Sequence, residues 1–437
     1  MSNKIRRGYR AYMAKLGQFS HNARWILLVS FLTGLALGGW RLLFNFYALS
    51  LDASFDESFL GTLQTLQSLA AIVMALPAAY IAGRFSHKPL LVGVSVMLSG
   101  AMLGSVLLPT RESLIVFRML FGVGFAAQQV IVAPFLMANT SEEERQWVFS
   151  FNLGLTMTAT FVGNTIGGSL PLLFANLMSI EATSTLAYQW SIGTLGIIAL
   201  TGIIPLLLLR PSPNEIEVHE TPWHLIKAYG MLLLPFLLPN VLVGLGAGLM
   251  QPFMNLYFRS VYGQTDFVIG LLFAFGGFSM AVAQFAAPPM ADRLGKINAV
   301  MLTQALSIPF LLLLGIGAFV VPSGLGAVPL WFGIAAVAYN VRLALMNMGN
   351  PIYQTFMLEG VPEKVSALAV SLSSISFQFG WFVMPQVSGW LQVRYGEMGF
   401  VPIFFSVAVF YALAVAMEWY FFKWYFFKRK MTEAVVS

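Results

Sequence analysis

No cysteine occurs among the 437 residues, so neither a disulfide framework nor a thiolate metal site is available. Charge is scarce as well: Asp, Glu, Lys and Arg make up 10% of the chain, against about 25% in soluble domains. None of the 18 acidic residues and none of the four histidines falls deep in an apolar run, Glu418 coming closest, near the end of the last one. A Gly-x-x-x-x-Gly-Lys-Ser/Thr phosphate loop is missing, which removes ATP hydrolysis as an energy source. The nearest approach to a zinc-protease helix is His219-Glu220-Thr221-Pro222-Trp223-His224; its second histidine comes one residue too late and Pro222 interrupts it, as in a linker. An enzyme is therefore not expected, and no cofactor or metal is called for.

What the chain has instead is apolar length. Hydrophobic residues make up 58%, and a bilayer crossing takes about 20 of them in a row. Twelve such runs can be marked, near 26–50, 57–82, 88–108, 113–137, 147–177, 187–209, 231–258, 266–290, 296–321, 328–357, 366–390 and 400–422. They are long and continuous, without the short alternating pattern of a barrel strand, and in lipid only helices or closed barrels satisfy the backbone. The fold class is thus an all-α membrane protein with twelve transmembrane helices. The first run is too long for a signal-peptide core and is expected to stay as helix 1.

Lys and Arg divide unevenly between the loops. With the N-terminus inside, 18 lie on the cytoplasmic side, three outside (Arg111, Arg259 and Arg394), and three within runs. Cytoplasmic loops collect positive charge, so both termini are expected in the cytoplasm of a cell carrying the protein in its inner membrane. The net charge of +6 follows from this topology and gives no reason to expect nucleic acid. Residues 1–22 place Ile5, Tyr9, Tyr12, Met13 and Leu16 opposite Lys4, Arg6, Arg7, Arg10 and Lys15, an amphipathic segment suited to lipid headgroups.

The chain repeats itself. At a shift of 210 residues, Gly34, Gly38, Asn45, Tyr47 and Ser50 overlie Gly244, Gly248, Asn255, Tyr257 and Ser260, with Arg41 opposite Gln251. Two six-helix bundles follow, 23–210 and 228–423, joined by a proline-bearing cytoplasmic linker at 211–227 and ending in a tail at 424–437.

Certain residues now carry a resemblance. Asp292-Arg293-Leu294-Gly295-Lys296 after run 8, and the weaker copy Gly83-Arg84-Phe85-Ser86-His87-Lys88 after run 2, resemble the Gly-x-x-x-Asp-Arg-x-Gly-Arg-Lys loop of the major facilitator superfamily. Arg118, Gly122, Gly124, Ala126 and Ala127 match that family's Arg-x-x-x-Gly-x-Gly-x-Ala-Ala motif in helix 4. Gly163-Asn164-Thr165-Ile166-Gly167-Gly168 resembles the helix 5 motif of its antiporter branches, with Asn164 in place of proline. The resemblance implies two pseudo-symmetric bundles that rock about a midplane site lined by helices 1, 4, 7 and 10, with Arg84, Arg118, Gly122, Asn164, Asp292, Arg293 and Gly295 in gating or structural roles.

Three arginines lie within runs, and a buried charge in lipid is costly enough to mark a functional candidate. They are Arg41, Arg118 and Arg342. Gly34, Gly38, Arg41 and Asn45 fall on one helical stripe, Gly244, Gly248, Gln251 and Asn255 on another. Arg342, Met346, Gly349 and Tyr353 make a third, and Arg118, Gly122, Phe125 and Gln129 a fourth. Arg41, Asn45, Gln129, Gln251, Asn255, Arg342 and Tyr353 are the candidate substrate contacts. The competing reading makes the glycines helix-packing surfaces and the amides interhelical bond formers. Positive charge without internal acids suits a small organic anion or anionic amphiphile, bound through bidentate guanidinium bonds. A broad-specificity exporter of hydrophobic compounds is the alternative, with Trp40, Phe44, Phe253, Met254 and Met346 as an adaptable apolar wall. A monomer is expected, its partners limited to substrate and membrane lipid.

Overall fold

The structure is a computed structural model that describes residues 19–82, 84–210, 222–362 and 365–425. Gly83, most of the amphipathic N-terminal segment, most of the linker with His219 and Glu220, and most of the tail lie outside these residues. Among the described residues, twelve long helices follow one another. They are α1 (His21–Leu51), α2 (Glu57–Ala82), α3 (His87–Leu107), α4 (Arg111–Ala138), α5 (Glu142–Met178) and α6 (Thr185–Thr201, prolonged by Ile203–Leu207). After these come α7 (Pro222–Met250, continued by Met254–Ser260), α8 (Asp266–Leu294), α9 (Lys296–Val320), α10 (Val328–Glu359), α11 (Ser366–Tyr395) and α12 (Phe400–Trp419). Each crossing is apolar enough for a bilayer, α11 and α12 forming one continuous stretch, Leu368–Lys423, around a single 3-10 turn. This is a multi-pass membrane protein.

Helix starts follow the local sequence. The Ser20 hydroxyl accepts from the Ala23 amide, and Thr110 with Ser113, and Ser141 with Glu144, close reciprocal capping boxes. Between α8 and α9 the turn is a single residue, Gly295 at φ +80°, a backbone region that other residues enter only with strain. Pro252 sits in a 3-10 turn, Gln251–Phe253, that breaks α7 near its far end.

The repeat shows in how helices touch. A Cβ added at Gly163 on α5 would fall 2.1 Å from the Leu35 carbonyl oxygen of α1, and one at Gly38 would fall 2.8 Å from that of Thr160. The same register recurs 210 residues on: a Cβ at Gly248 on α7 would lie 2.3 Å from the Gly380 carbonyl oxygen of α11, and one at Gly244 as near to that of Phe377. Water-driven burial does not operate between helices in lipid, and small residues let backbones approach closely enough for dispersion to hold them. The glycine stripes are therefore packing surfaces, as the competing reading had it.

The side of the bundle where α1 begins is called proximal here, the other side distal. Cross-half contacts at the distal end are dense. There α2 meets α11, with the Thr62 hydroxyl donating to Gln386 Oε1 at 2.8 Å and Gln386 Nε2 donating to the Ser58 hydroxyl at 3.0 Å. In the same region α5 meets α8, where a Cβ at Gly168 would come 2.6 Å from the Asp266 carbonyl oxygen.

Candidate functional site

The two asparagines related by the repeat meet. Asn45 Nδ2 donates to the Pro252 carbonyl at 2.7 Å and to Asn255 Oδ1 at 2.9 Å, while Asn255 Nδ2 donates to the Leu42 carbonyl at 2.8 Å. Both side chains are buried. The break at Pro252 matters here, since it frees a carbonyl that a regular helix would have spent internally. In this state these two candidates bind each other across the halves.

Arg41 stands four residues before Asn45, within about 40° on a helix of 3.6 residues per turn. Asn45 touches the other half, so Arg41 points into the space between the halves. It is exposed there, although its neighbours Trp40 and Leu42 are buried. Its guanidinium lies over the Phe125 ring of α4, 5.1 Å from the centroid. Arg118 stands behind it on α4, its guanidinium 5.8 Å from the centroid of Phe121, the ring stacked on Phe125 at 6.4 Å. Arg118 is buried, donates to Gln64 Oε1 of α2 at 3.0 Å and covers the Phe44 ring at 4.2 Å, while its Nε has no hydrogen-bond partner. Next to it, a Cβ on Gly122 would fall 2.2 Å from the Gln67 carbonyl oxygen, so Gly122 closes the α2–α4 contact. Gln129, two turns further along α4, is exposed.

On the C-terminal side the stripe of α10 turns inward. Arg342 is 1% exposed and donates through Nη2 to the Tyr411 hydroxyl of α12, leaving Nε and Nη1 without partners. Met346 accepts from Ser307 of α9, and Gly349 faces Thr303. Tyr353 donates to the Phe236 carbonyl of α7. The expectation was a stripe lining the central space; in this state it packs inside its own bundle, because α9 and α12 present the polar groups it bonds. Gln251 is half-buried in the 3-10 turn. Trp40, Phe44, Phe253, Met254 and Met346, expected as a wall around a ligand, are all packed in the core.

The loop motif residues are at the proximal surface. Asp292, Arg293 and Arg84 are exposed, the last over the Tyr80 ring at 4.5 Å, and Lys296 pairs with Glu359. Asn164 is buried where α5 crosses α8, its carbonyl oxygen 2.5 Å from where a Cβ on Gly270 would lie. Among the described residues, neither Arg41, Arg118 nor Arg342 forms an ion pair, and no grouping of acids and histidines could hold a metal.

Two features escaped the sequence reading. Arg259, counted among loop residues, pairs with Asp266 of α8 and lies over the Phe46 ring of the other half at 3.4 Å, and Tyr188 of that half donates to Asp266 Oδ2 at 3.0 Å. A cation in the last turn of one helix and an acid in the first turn of the next was the available signal. Second, Glu418, expected near the end of the last run, is the penultimate residue of α12 and is 1% exposed there.

With the geometry in place, the class is that of a two-bundle membrane carrier, and comparison with known proteins agrees. The family model described as Major Facilitator Superfamily matches residues 26–385, and the chain belongs to that family. It is a transporter and not an enzyme. It is similar to the multi-drug resistance efflux pump PmrA of Streptococcus pneumoniae, 21% identical over 360 residues, 80% of this chain and 83% of that protein. It is also similar to the 4-hydroxybenzoate transporter PcaK of Pseudomonas putida, 28% identical over 161 residues, 37% of this chain and 32% of that protein. Among solved structures, the nucleoside transporter NupG shares the fold at a TM-score of 0.70 and 14% identity, covering 92% of this chain and 98% of that one. A D-xylose–proton symporter does so at 0.68 and 16%, covering 92% and 98%.

Proposed function

We propose that this transporter carries small organic anions by alternating access of its two six-helix bundles, 23–210 and 228–423. One observation carries the reading: Arg41 is exposed toward the space between the halves with Arg118 behind it across the stacked Phe125 and Phe121 rings, and neither has a carboxylate partner among the described residues. A cation so placed lacks a counter-charge until an anion arrives, and its fork of donors fits a carboxylate. Phe125, under Arg41, offers a ring on which the apolar body of such a ligand can rest. The 4-hydroxybenzoate for which the Pseudomonas putida relative is named, an aromatic carboxylate, belongs to this class.

The excess of Lys and Arg on the proximal side supports an orientation with both termini cytoplasmic in the inner membrane. The distal contacts between the halves, a clasp that includes the Asn45–Asn255 bonds, then close the outer side, and the site faces inward. Substrate release or capture from the cytoplasm belongs to this state.

Exchange of radiolabelled 4-hydroxybenzoate and other aromatic carboxylates by the purified protein in liposomes is the test. Arg41→Gln should lower exchange at least tenfold, with Arg41→Lys partly restoring it. Full exchange by Arg41→Gln, or exchange of cationic dyes in preference to every anion tried, would overturn the reading. The second outcome favours export of hydrophobic compounds, a reading supported by the similarity to PmrA over 80% of the chain.

A further inference from the structure

Glu418 stands apart from the central space. It is the penultimate residue of α12, 1% exposed, inside the C-terminal bundle. One carboxylate oxygen, Oε1, accepts from Gln304 Nε2 of α9 at 3.1 Å; the other, Oε2, has no hydrogen-bond partner. No cation pairs with it among the described residues. From α10 the titratable residue on this side is Tyr353; one turn after it Phe356 packs against Phe422, one turn after Glu418, with ring centroids 5.0 Å apart. Arg342 is 11 residues from Tyr353 along α10 and is already bonded to Tyr411, two helical turns from Glu418 along α12. From α7 Phe236 reaches the same Phe422 ring at 5.0 Å, in a cluster that includes Leu233 and Tyr229, and supplies the carbonyl that Tyr353 bonds. Directly after Glu418 the backbone widens into a π-helical turn, Tyr420–Tyr425, a feature frequent at functional sites.

An ionised carboxylate with a bare oxygen and no cation costs more in such a place than a single amide bond returns. A neutral carboxylic acid fits the same surroundings. Its proton on Oε2 removes the charge, and the Gln304 amide still serves Oε1.

We propose that Glu418 is a proton-binding site that couples proton movement to the conformation of the transporter, with the Tyr353 hydroxyl as its switch. The hydroxyl has one proton to donate, to the Phe236 carbonyl as here or, in the switched state, to the Glu418 carboxylate. While Glu418 is neutral, Tyr353 donates to the Phe236 carbonyl and ties α10 to α7. When the Oε2 proton passes to water on the proximal side, the carboxylate left behind is the stronger acceptor. Tyr353 then turns to it and the tie to α7 is lost. Pro235 and Pro239 flank that carbonyl and already weaken the turn. Since α7 also carries Pro252 and Asn255, its release at the proximal end reaches the distal clasp.

Two measurements on the full chain in lipid vesicles test this without a substrate. Infrared difference spectra between acid and alkaline buffers should show a buried carboxylic acid band that Glu418→Gln removes and Gln304→Leu shifts. A band unchanged in Glu418→Gln overturns the proposal. In the second, Leu256→Cys is labelled with a maleimide from the distal side across the same pH range. The rate in the Glu418 protein, divided by that in the Glu418→Gln protein, cancels the thiol's own ionisation. The ratio should rise at least threefold toward alkaline pH, and fall back to flat when Tyr353→Phe is added to the numerator. A flat ratio with Tyr353 intact overturns the coupling. Glu418→Gln, which resembles the neutral acid, should keep the parent's melting temperature, separating loss of a proton site from loss of fold; a large drop would count against the neutral form.

Discussion

Replacing Asn45 by alanine should loosen the distal clasp by a calculable amount. The substitution removes two bonds across the halves, to the Pro252 carbonyl at 2.7 Å and to Asn255 Oδ1 at 2.9 Å. Interhelical hydrogen bonds in membranes average about 0.6 kcal/mol each and reach about 1.7, so the pair contributes roughly 1–2 kcal/mol. Asn255 keeps its bond from the Leu256 amide, whereas the Pro252 carbonyl, at the break in α7, loses its acceptor role. At about 1.4 kcal/mol per tenfold, the clasped state should lose population by about 5- to 30-fold relative to the open one. The absence of cysteine makes the measurement clean. Leu256 is 6% exposed beside the clasp, and a cysteine there reports opening through its maleimide-labelling rate from the distal side. Asn45→Ala should raise that rate by about the same 5- to 30-fold. A rate within twofold of the parent would mean that the asparagine bonds add nothing to closure, and a lower one would reverse the reasoning. Because Asn255 also bonds Leu42, Asn255→Ala should act in the same direction, and the double variant should give less than the product of the two.

Two further outcomes follow from other contacts. Asp266→Asn leaves Arg259 without its carboxylate and weakens the bond from Tyr188, so it should also speed labelling at Leu256, whereas Asp292→Asn, at an exposed position with no ion pair among the described residues, should not; equal effects would contradict the clasp. Gly163→Val drives a side chain into the Leu35 carbonyl, and overpacking of this kind costs about 1–3 kcal/mol, so the melting temperature of the detergent-solubilised protein should fall while Gly154→Val, in open space, leaves it unchanged.

The helices were legible because lipid makes a simple demand: every backbone group bonded locally and about 20 apolar residues per crossing. Matching residues at a 210 shift likewise located the packing glycines, and Gly38 and Gly248 each approach a carbonyl of the partner helix. Side-chain direction was harder. Arg41 and Arg342 read alike as arginines within apolar runs, yet one opens between the halves and the other is sealed against Tyr411. The difference lies in α9 and α12, which surround α10 with hydroxyls that periodicity along α10 alone does not reveal. Glu418 was misjudged for a related reason. Its place near the end of the run suggested water, whereas α12 packs along α7 and α9, and Gln304 of α9 bonds it.

The asparagine clasp has the character of an isologous contact, the kind made when a surface meets a copy of itself. Asn45 and Asn255 occupy equivalent places in the two halves, and each amide offers both a donor and an acceptor. One residue type therefore serves both sides of the bond, and neither half needs a complementary partner residue to keep it. Four residues earlier the same two positions hold Arg41 and Gln251, which differ. The seam that must open and close is built from likeness, and the recognition of a ligand is left to the place where the halves are unlike.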